Sequence, residues 1–576
     1  MRNIRLTPES IAMEYSYGTD YKNSIGRRGI AEQSKINERF FVGDQWHGAS
    51  CGIDKPLVRR NVIKRIGEYK MAAISAKPVT VNFVADGVPG VGFEEKKLVK
   101  NRLLQGNLFK DNITNAEVSV ITSAMSDYQR VTAERVKFNS KMEQLLKNAY
   151  ISGTGICYTY WDSLIETGLY ADAEKNIPIK GDIAFEVLDV ENVVFGDPNC
   201  DDVQAQPYII IAVRREIGEV IREAKRNRIP EDMIANIKPD ENYYYNSAGD
   251  RGETEPNDSR RVTVYTKLYK EWDKDLNSYK VMAVKATKGA YIRKPWDMKL
   301  RLYPIAKMSW ERRRSSIYGD SEITNMIPNQ IAINRALTAA VWSAMATGMP
   351  ITVVNGDIVD GKVTNNPGQV IKVFGSAEET ASAVRYINPP NYAIALNKAV
   401  EDLASFTLSD SGANDAALGN VRPDNAAAII QMREAAMAPL QIYMNRYYET
   451  CEDIARIWAD YWLNLYGNRS LKIEDSEGIH YIPFNGERYK SLVINARIDV
   501  GESTLWSESV VISTLDNLLE RQLITFEQYL DRIPGGLIPN VTGLKADLQK
   551  AAQMQQDPRE LSEEEAKKVS MEVGSK

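Results

Sequence analysis

The feature that most constrains the fold is a long helical pattern in the last third of the chain. Between residues 424 and 466, a run of 43 residues, apolar side chains recur alternately four and three apart: Leu440, Met444, Tyr447, Cys451, Ile454, Trp458, Tyr461 and Leu465. This spacing predicts one buried stripe along a helix about 65 Å long. Pro423 suits its start and Gly467 its end, and Pro439 predicts a kink because proline removes a backbone hydrogen bond. Such a helix usually serves as a strut between regions.

Other segments carry strand patterns, so we predict an α+β fold. The expected strands are VTVNFV, ICYTYWD, IAFEVLDVENVVF, YIIIAVRR, VTVYTKLYKEW and YKVMAVKAT. Helices are expected over about 57–76 and 134–150, whereas residues 1–50 resemble a polar, partly irregular arm that ends in a short helix. With 576 residues, the chain should form more than one packing unit. Its 43% hydrophobic and 26% charged residues are typical of a folded protein.

Cysteine usage and hydropathy bear on the compartment. The cysteines Cys51, Cys157, Cys200 and Cys451 are far apart and form no CxxC pair, so neither a zinc site nor a disulfide framework is indicated, and a reducing cytoplasm is expected. The N-terminus lacks the apolar core of a secretory signal. Residues 336–354 are uncharged over nearly a bilayer-spanning length, but Gly348 and Pro350 interrupt them. We interpret them as a packed helix followed by a strand.

Two basic stretches are candidates for contact with nucleic acid. The first predicted helix and its flanks carry seven cations against a single Glu68: Lys55, Arg59, Arg60, Lys64, Arg65, Lys70 and Lys77. A solvated or subunit-facing side is the favoured interpretation there, with nucleic acid or anionic lipid as the alternative. Arg312, Arg313 and Arg314 could contact DNA or an acidic partner, or form a solvated turn. The net charge of −5 argues against a tight grip on nucleic acid, which needs Lys and Arg to neutralise phosphates.

Two short motifs imitate ligand sites. Residues 356–363, GDIVDGKV, satisfy GxxxxGK, but Val363 replaces the Ser or Thr that holds magnesium, and turn and strand patterns follow instead of a helix. We interpret them as a β-hairpin. Asp197 and Asp201 have the spacing of an EF-hand loop, but Asp202 occupies its glycine position. We interpret that segment as a Pro-Asn turn.

Catalytic groups are sparse in this sequence. The chain has two histidines, His47 and His480, and neither an HExxH nor a GxSxG motif. We therefore predict no catalytic residue, no metal site and no cofactor, although a pair of carboxylates would carry no recognisable pattern. The alternative is a DNA-processing enzyme, such as a nuclease, that uses the basic stretches as its grip.

The order of elements between residues 318 and 466 is more informative than any short motif. The segments GDSEI, IPNQ and NR open a helix that runs to about residue 347. A β unit follows, MPITVVNGDIVDGKVTNNPGQVIKVF, which ends in VRYINPP. Next come a second helix over about 392–408, the small-residue loop SDSGANDAALGNVRPD and the long helix. This order resembles the stem, clip, stem, tunnel loop and wing helix of portal proteins of tailed double-stranded-DNA bacteriophages. Upstream, NVIKRIGEYKMAAISAKPVTVNF and NAYISGTGICYTYWD resemble parts of the portal wing, so the resemblance covers about residues 40–470.

The resemblance implies a portal-type α+β fold with a defined order of regions. These are an N-terminal arm (1–50), a mixed α/β wing (51–317), a stem helix (318–347), a small β-containing clip (348–390), a second stem helix (391–408), a tunnel loop (409–423), the long kinked wing helix with a β segment (424–505), and a helical crown with the C-terminal tail (506–576).

The resemblance also implies a function. Portal proteins form a ring, typically of twelve copies, at one capsid vertex of the virion, after assembly in the host cytoplasm, and double-stranded DNA in transit passes through the ring. The implied partners are the terminase, the major capsid and scaffolding proteins, and head-completion adaptor or tail proteins, with no membrane. A different virion connector or a baseplate component is the other structural alternative.

The resemblance also implies roles for particular residues. The tunnel-loop role falls on short or flexible residues that include no cation: Asp410, Ser411, Gly412, Ala413, Asn414 and Asp415. Lys362 and Lys372 are the expected clip contacts with terminase or adaptor. Small side chains should let neighbouring stem helices approach closely: Ala336, Ala339, Ala340, Ser343, Ala344 and Ala346.

Overall fold

The computed structural model places the chain in two compact units. The first comprises residues 1–78, 132–467 and 486–491, and the second comprises residues 79–131, 468–485 and 492–576. The structure describes residues 6–47, 57–76, 79–85, 99–100, 113–172, 177–240, 260–274, 278–348, 351–363, 370–387, 392–413, 437–475, 478–490, 492, 494–499, 505–521, 523–526, 529–530 and 533.

The chain mixes helices and strands throughout, which confirms the α+β prediction. The helices are α1 (Pro8–Ser24), α2 (Ile30–Val42), α3 (Val62–Ser75), α4 (Asn115–Arg135), α5 (Phe138–Ser152), α6 (Ile217–Arg226), α7 (Glu231–Ile234), α8 (Glu322–Gly348), α9 (Ala377–Ser382), α10 (Ala393–Asp410), α11 (Gln441–Leu465), α12 (Gly486–Tyr489) and α13 (Leu505–Glu520). The strands are β1 (Thr80–Ala85), β2 (Thr154–Asp172), β3 (Ile177–Leu188), β4 (Val193–Phe195), β5 (Tyr208–Glu216), β6 (Arg261–Asp273), β7 (Ser278–Ala286), β8 (Tyr291–Asp297), β9 (Ile305–Ser309), β10 (Ile351–Val354), β11 (Val359–Asp360), β12 (Lys372–Val373), β13 (Val384–Ile387), β14 (Asn468–Asp475), β15 (Gly478–Asn485) and β16 (Ile494–Asp499).

Two larger antiparallel sheets form most of the β part of the first unit, which also contains the two small pairs β10–β13 and β11–β12. One has five strands in the order β4-β5-β6-β7-β8, and the other has three in the order β3-β2-β9. Three successive isoleucines of β5, Ile209, Ile210 and Ile211, are all buried, so this strand is covered on both faces. The predicted strand runs are confirmed, except that IAFEVLDVENVVF forms two strands, β3 and β4, which a 3-10 turn at Val190–Asn192 separates and which belong to different sheets. The predicted Pro-Asn turn lies between β4 and β5, where Asn199 N–H donates to Asp197 Oδ1 at 3.0 Å.

Helix α5 is central to the core of the first unit. Met142, Leu145, Leu146 and Ala149 line its buried face, and α2, α3, α8 and β2 pack around the helix. Aromatic side chains extend this core: the ring centroids of Tyr150 and Trp310 lie 5.0 Å apart. The helix begins at Phe138 rather than near residue 134, because Lys137 has a left-handed backbone conformation that separates α5 from α4.

The N-terminal region differs from the prediction of a partly irregular arm. Residues Pro8–Ser24 form a helix of 17 residues, capped by Thr7, whose side chain accepts a hydrogen bond from Ser10 N–H. Pro8 stands in the first turn, where its missing N–H costs nothing. Helix α2 follows after a short connection. The Thr-Pro-Glu sequence at residues 7–9 is a helix-start signal that the sequence-based prediction overlooked.

The long helix is confirmed in its C-terminal part. Helix α11 spans 25 residues, and its predicted stripe is buried from Met444 to Tyr461. A single 3-10 turn, Ala438–Leu440, precedes it, so the regular α-helix begins directly after the turn that contains Pro439, where a kink was predicted. The end at Gly467 is confirmed, because Gly467 has a positive φ of 58°. Residues 414–436 lie outside the described part of the chain.

The second unit contains two small antiparallel pairs. Strand β1 pairs with β16, and β14 pairs with β15. Serine 126 on α4 accepts a hydrogen bond from Phe83 N–H at 2.9 Å, which ties β1 to that helix. Helix α13 confirms the predicted helix near residue 507, whereas residues 534–576, most of the predicted crown and tail, lie outside the described residues.

Within the described residues, no helix combines the length and apolar character that a bilayer span requires. The uncharged stretch from residue 336 instead supplies the end of α8, followed by strand β10.

Candidate channel-forming hairpin

Helices α8 and α10, with the small β unit between them, form a hairpin in the first unit that we call the stem hairpin (residues 322–410). Its first helix starts at Glu322, where the Ser321 hydroxyl accepts a hydrogen bond from Ile323 N–H at 3.2 Å. Of the segments predicted to open the helix, GDSEI contains its first residue, and IPNQ lies within it, with Pro328 as an internal proline. The serine cap lies earlier in the sequence than the proline, and it sets the start.

A buried ion pair anchors this start. Lys70 of α3 donates to Glu322 Oε1 at 2.6 Å, and the Trp310 indole N–H donates to Glu322 Oε2 at 3.1 Å. The Lys70 ammonium also lies 5.3 Å from the ring centroid of Tyr443 on α11. Both charged side chains are buried. The root of the stem hairpin is thus fixed to two other helices by directional contacts.

A second set of polar contacts, the Gln330–Asn334 clamp, ties α8 to the segment before α3. Gln330 Oε1 accepts from Val62 N–H at 2.9 Å, and Gln330 Nε2 donates to the Arg60 carbonyl at 2.6 Å. Asn334 Oδ1 accepts from Arg60 N–H at 3.1 Å. Both amide side chains are buried. The sequence patterns IPNQ and NR, which marked the family resemblance, therefore supply structural side chains of the protomer.

Helices α8 and α10 contact each other, and each of them has buried aliphatic side chains. Ala340 of α8 is buried, as are Val400 and Ala404 of α10. Of the other small residues predicted for close helix approach, Ala339 and Ala344 are exposed, and the side chain of Ala346 lies outside the described residues. Within one protomer, only part of the small-residue face is therefore covered.

Exposed apolar side chains are concentrated on the stem hairpin. Val370 is 85% exposed and Ile394 is 80% exposed. Between residues 342 and 406, the large apolar side chains with high exposure are Trp342, Met345, Val353, Val370, Ile371, Phe374, Ile387, Tyr392, Ile394 and Phe406. A soluble protein that leaves so many apolar groups on one segment usually covers them with a partner.

The β unit at the tip of the hairpin confirms the β-hairpin interpretation of GDIVDGKV. Strand β10 pairs with β13, and β11 pairs with β12 with Asp360 opposite Lys372. Lys372 lies in β12, Lys362 lies two residues after the end of β11, and both predicted contact lysines are exposed. The sequence-based prediction missed α9, although Ser376 and Glu379 form a capping box at its start.

The residues expected in the tunnel loop do not share one environment. Asp410 is the last residue of α10 and is exposed, Ser411 and Gly412 are half-buried, and Ala413 is buried. A Cβ at Gly412 would lie 3.2 Å from Cβ of Pro439. The chain thus leaves α10 beside the point where it enters α11. Asn414 and Asp415 lie outside the described residues.

A cavity of about 570 Å³ lies at this junction. Polar side chains of α8 and the end of α10 line it, together with three carboxylates and one lysine: Glu311, Glu322, Asp410 and Lys70. Burial raises the pKa of Glu311, and the nearby Glu322 and Asp320 carboxylates raise it further. Within the described residues, no group of three or more His, Cys, Asp or Glu side chains is placed to hold a metal ion.

Several cations of the basic stretches are paired with carboxylates within the protomer. Arg313 donates twice to Asp320, at 2.7 and 2.5 Å, and Arg312 donates to Glu449 at 2.7 Å. Lys70, predicted to lie on a solvated or subunit-facing side, is buried in the ion pair described above. That prediction was wrong for Lys70, because a carboxylate from α8 compensates its charge inside the fold.

Comparison with known families decides the assignment. A family model described as phage P22-like portal protein matches residues 220–505, about half of the chain. The chain belongs to the phage portal proteins. The resemblance inferred from the order of elements is confirmed, and the match contains the whole stem hairpin and α11. Among the curated proteins compared with this portal protein, none matches it.

Family membership supports several broad properties of this portal protein. It supports a location in the virion capsid, a ring oligomer associated with that capsid, and a structural rather than an enzymatic role. The buried roles of Glu322, Gln330 and Asn334 could not be read from the sequence, because their partners at residues 60–70 lie some 250 positions away along the chain.

Proposed function

We propose that this portal protein forms a closed ring, typically of twelve copies, whose central channel passes double-stranded DNA during packaging and ejection. Terminase and later head-completion or tail proteins would dock at the β unit of the stem hairpin, with Lys362 and Lys372 among the contacts. Energy for packaging would come from the partner, since no catalytic group is assigned to this chain.

One observation carries the proposal. The stem hairpin leaves ten large apolar side chains exposed, whereas the helices at its root are held by buried charge and amide contacts. Burial of apolar surface is the main favourable term in subunit association, and a closed ring supplies the same covering neighbour to every copy. The rigid root would set the angle at which each hairpin meets the next.

Charge supports a passive channel. Each chain carries a formal charge of −5, and Asp410, the exposed residue at the end of α10, is acidic. Every cation that neutralises a phosphate adds salt-dependent affinity, which would retard a sliding duplex. We assign the surface nearest the DNA to residues 410–415.

The decisive experiment measures assembly of the full chain by negative-stain electron microscopy and mass photometry. We expect rings with a central hole and a narrower stem, and a mass that is an integral multiple of the protomer mass. Ile394→Glu should lower the ring population about tenfold or more, because an unpaired charge would be buried at the interface. Leu164→Glu is the matched control: Leu164 is 74% exposed on the β2–β3 hairpin, outside the stem hairpin, and this variant should assemble normally.

A full chain that stays monomeric, or rings that tolerate Ile394→Glu as well as Leu164→Glu, would contradict the proposal. Magnesium-dependent cleavage of duplex DNA by the purified protein would favour the nuclease hypothesis instead. No observation on the described residues supports that hypothesis at present.

A further inference from the structure

A second, smaller cavity of about 130 Å³ lies in the first unit, at the N-terminal end of α2. The turn between α1 and α2 closes one side, one face of α2 forms another, and the segment that leads into α8 forms the third. Its lining includes Arg27, Arg28, Ser34, Asn37, Arg313 and Asp320. None of these residues has a role in the proposed channel.

The helix end itself favours an anion. Helix α2 has 13 residues, and its N-cap, Gly29, has no side chain with which to accept a first-turn N–H. Both Gly29 and Ile30 line the cavity. The first N–H groups of a helix have no partner within the helix and carry a partial positive charge, so an uncapped N-terminus attracts oxyanions.

The charged side chains that line the cavity also favour the binding of an anion. Three arginines line the cavity, and the single lining carboxylate, Asp320, is engaged by Arg313 in a bidentate pair. Two guanidinium groups, those of Arg27 and Arg28, therefore remain without a compensating carboxylate in the lining. Glu32 lies in the first turn of α2 but does not line the cavity.

Ser34 provides an independent indication of a ligand. Ser34 is one of the lining residues and is only 2% exposed, and its buried hydroxyl has no hydrogen-bond partner among the described residues. The other buried polar side chains of the lining are satisfied: Asn37 donates to the Ile151 carbonyl at 2.8 Å, and Ser321 donates to the Tyr150 carbonyl at 2.6 Å. A buried hydroxyl without a partner is costly, and a bound oxyanion would accept its hydrogen bond.

We infer that this cavity is a binding site for a phosphate-type oxyanion, held by Arg27, Arg28, the Ser34 hydroxyl and the N-terminus of α2. Two unneutralised arginines match a dianion better than a single carboxylate, and guanidinium groups hold phosphate oxygens through paired hydrogen bonds. The volume suits one small tetrahedral anion. The site would join α2 to the segment that precedes the stem hairpin, and it does not depend on the channel function.

The test is isothermal titration of the full chain with inorganic phosphate near pH 8, at constant ionic strength set with sodium chloride, and with acetate as the monoanionic comparison. We expect phosphate to bind and acetate to bind at least about tenfold more weakly. Arg27→Ala with Arg28→Ala should weaken phosphate binding about tenfold or more, since charge-assisted hydrogen bonds are lost. Arg222→Ala with Arg226→Ala removes the same charge from exposed positions of α6 and should leave the affinity unchanged.

The Ser34→Ala variant distinguishes a role of Ser34 in phosphate binding from a role in protein stability. Because the hydroxyl has no partner among the described residues, its removal should leave the melting temperature in chloride unchanged or higher, while phosphate affinity falls severalfold. No phosphate binding by wild type, equal loss in the α6 control, or a Ser34→Ala variant that melts lower but binds phosphate normally would each overturn the inference. Preference for acetate would overturn it in favour of a carboxylate contact.

The phosphate group could come from free phosphate or from DNA, and competition between inorganic phosphate and a short DNA duplex distinguishes these sources. A short duplex that displaces phosphate, with the same dependence on Arg27 and Arg28, identifies DNA as the source. Phosphate that stays bound in the presence of the duplex identifies the free anion.

Discussion

The buried pair of Lys70 and Glu322 is the contact on which the root of the stem hairpin most depends. Attraction between buried charges only roughly offsets their desolvation, but removal of one partner leaves the other charge uncompensated. Here the second oxygen of Glu322 also accepts a hydrogen bond from the indole N–H of Trp310, which fixes the orientation of the carboxylate.

We therefore predict that Lys70→Met lowers the free energy of unfolding by about 3 to 5 kcal/mol. Adding Glu322→Gln to that variant should restore part of the loss, because the uncompensated charge disappears. Urea denaturation followed by circular dichroism measures both effects. Lys64→Met is the control: its exposed contact with Glu68 spans 3.6 Å, and its loss should cost under about 1 kcal/mol. Equal effects of the two lysine substitutions would contradict the prediction.

Glu191 is a buried carboxyl whose two oxygens have no hydrogen-bond partner among the described residues. Burial raises its pKa to about 8, and the charges that face it are Lys35, Asp189, Lys22 and Glu38. Its pKa in the folded protein lies above its ordinary value of 4.5, so between these two values the folded state holds a proton that the unfolded chain releases. Stability should therefore fall as the pH rises through that window.

Glu191→Gln should remove this dependence. We expect wild type to lose roughly 1 to 2 kcal/mol more stability than the variant between about pH 5 and about pH 7. Lys22, whose burial lowers its pKa to about 7, begins to lose its proton at the upper end of this range, but it does so in both proteins, so the comparison with the variant isolates Glu191. Chemical denaturation at the two pH values measures the difference, and parallel curves for both proteins would show that Glu191 is not the titrating group.

At the scale of elements, the turn from α5 into β2 combines a left-handed glycine with a close approach of another backbone segment. Gly153 has a φ of 84°, and a Cβ there would lie 2.5 Å from the Gly319 carbonyl oxygen. Gly361 in the β unit has a similar φ of 96°, but nothing lies within 4 Å of its Cβ position. Comparison of substitutions at Gly153 and Gly361 therefore separates the energetic cost of backbone strain from the cost of a steric clash.

We predict that Gly361→Ala costs about 1 kcal/mol, the strain of a left-handed residue, and that Gly153→Ala costs at least about 2 kcal/mol more. Thermal or urea unfolding of the two variants gives the comparison. Similar losses would mean that the segment at Gly319 moves aside without cost.

Local signals account for the element boundaries that were predicted correctly. The glycines at 153 and 467 mark helix ends through backbone conformations that few other residues adopt, and the spacing of the α11 stripe needs no knowledge of its partners. The start at Thr7 and Pro8 was equally visible and was overlooked.

Features that depend on distant residues could not be predicted. Lys70 is indistinguishable from a surface cation in the sequence, but in the structure it is paired with Glu322. Ala413 lies in a predicted open loop, but in the structure it is buried. In each case a tertiary contact overrides the local pattern.

At the scale of the whole molecule, the proposed ring should hold DNA weakly. Each chain has a surplus of acidic groups, and two of the three arginines in the basic triplet are paired with carboxylates of the same chain. The channel assignment can be tested by adding a cation where the DNA is expected to pass.

We predict that Asp410→Lys makes the ring bind a short duplex more tightly at low salt, with affinity that falls steeply as salt rises, since each new phosphate contact adds about one unit to the salt slope. Fluorescence anisotropy at several salt concentrations measures this. Glu231→Lys, an exposed charge reversal on α7, is the control and should change binding far less. Equal effects would place Asp410 away from the channel.

The close approach of Gly412 to Pro439 also bears on how this chain can change in evolution. Because the backbone departs and returns at neighbouring points, the chain length between residues 413 and 437 is not fixed by the span that it must bridge. When the two ends of a chain segment are held close together, a longer segment adds little to the entropic cost of closing the loop. Relatives could therefore exchange this segment for longer or shorter versions, and an experimenter could insert a peptide tag there, without disturbing either α10 or α11.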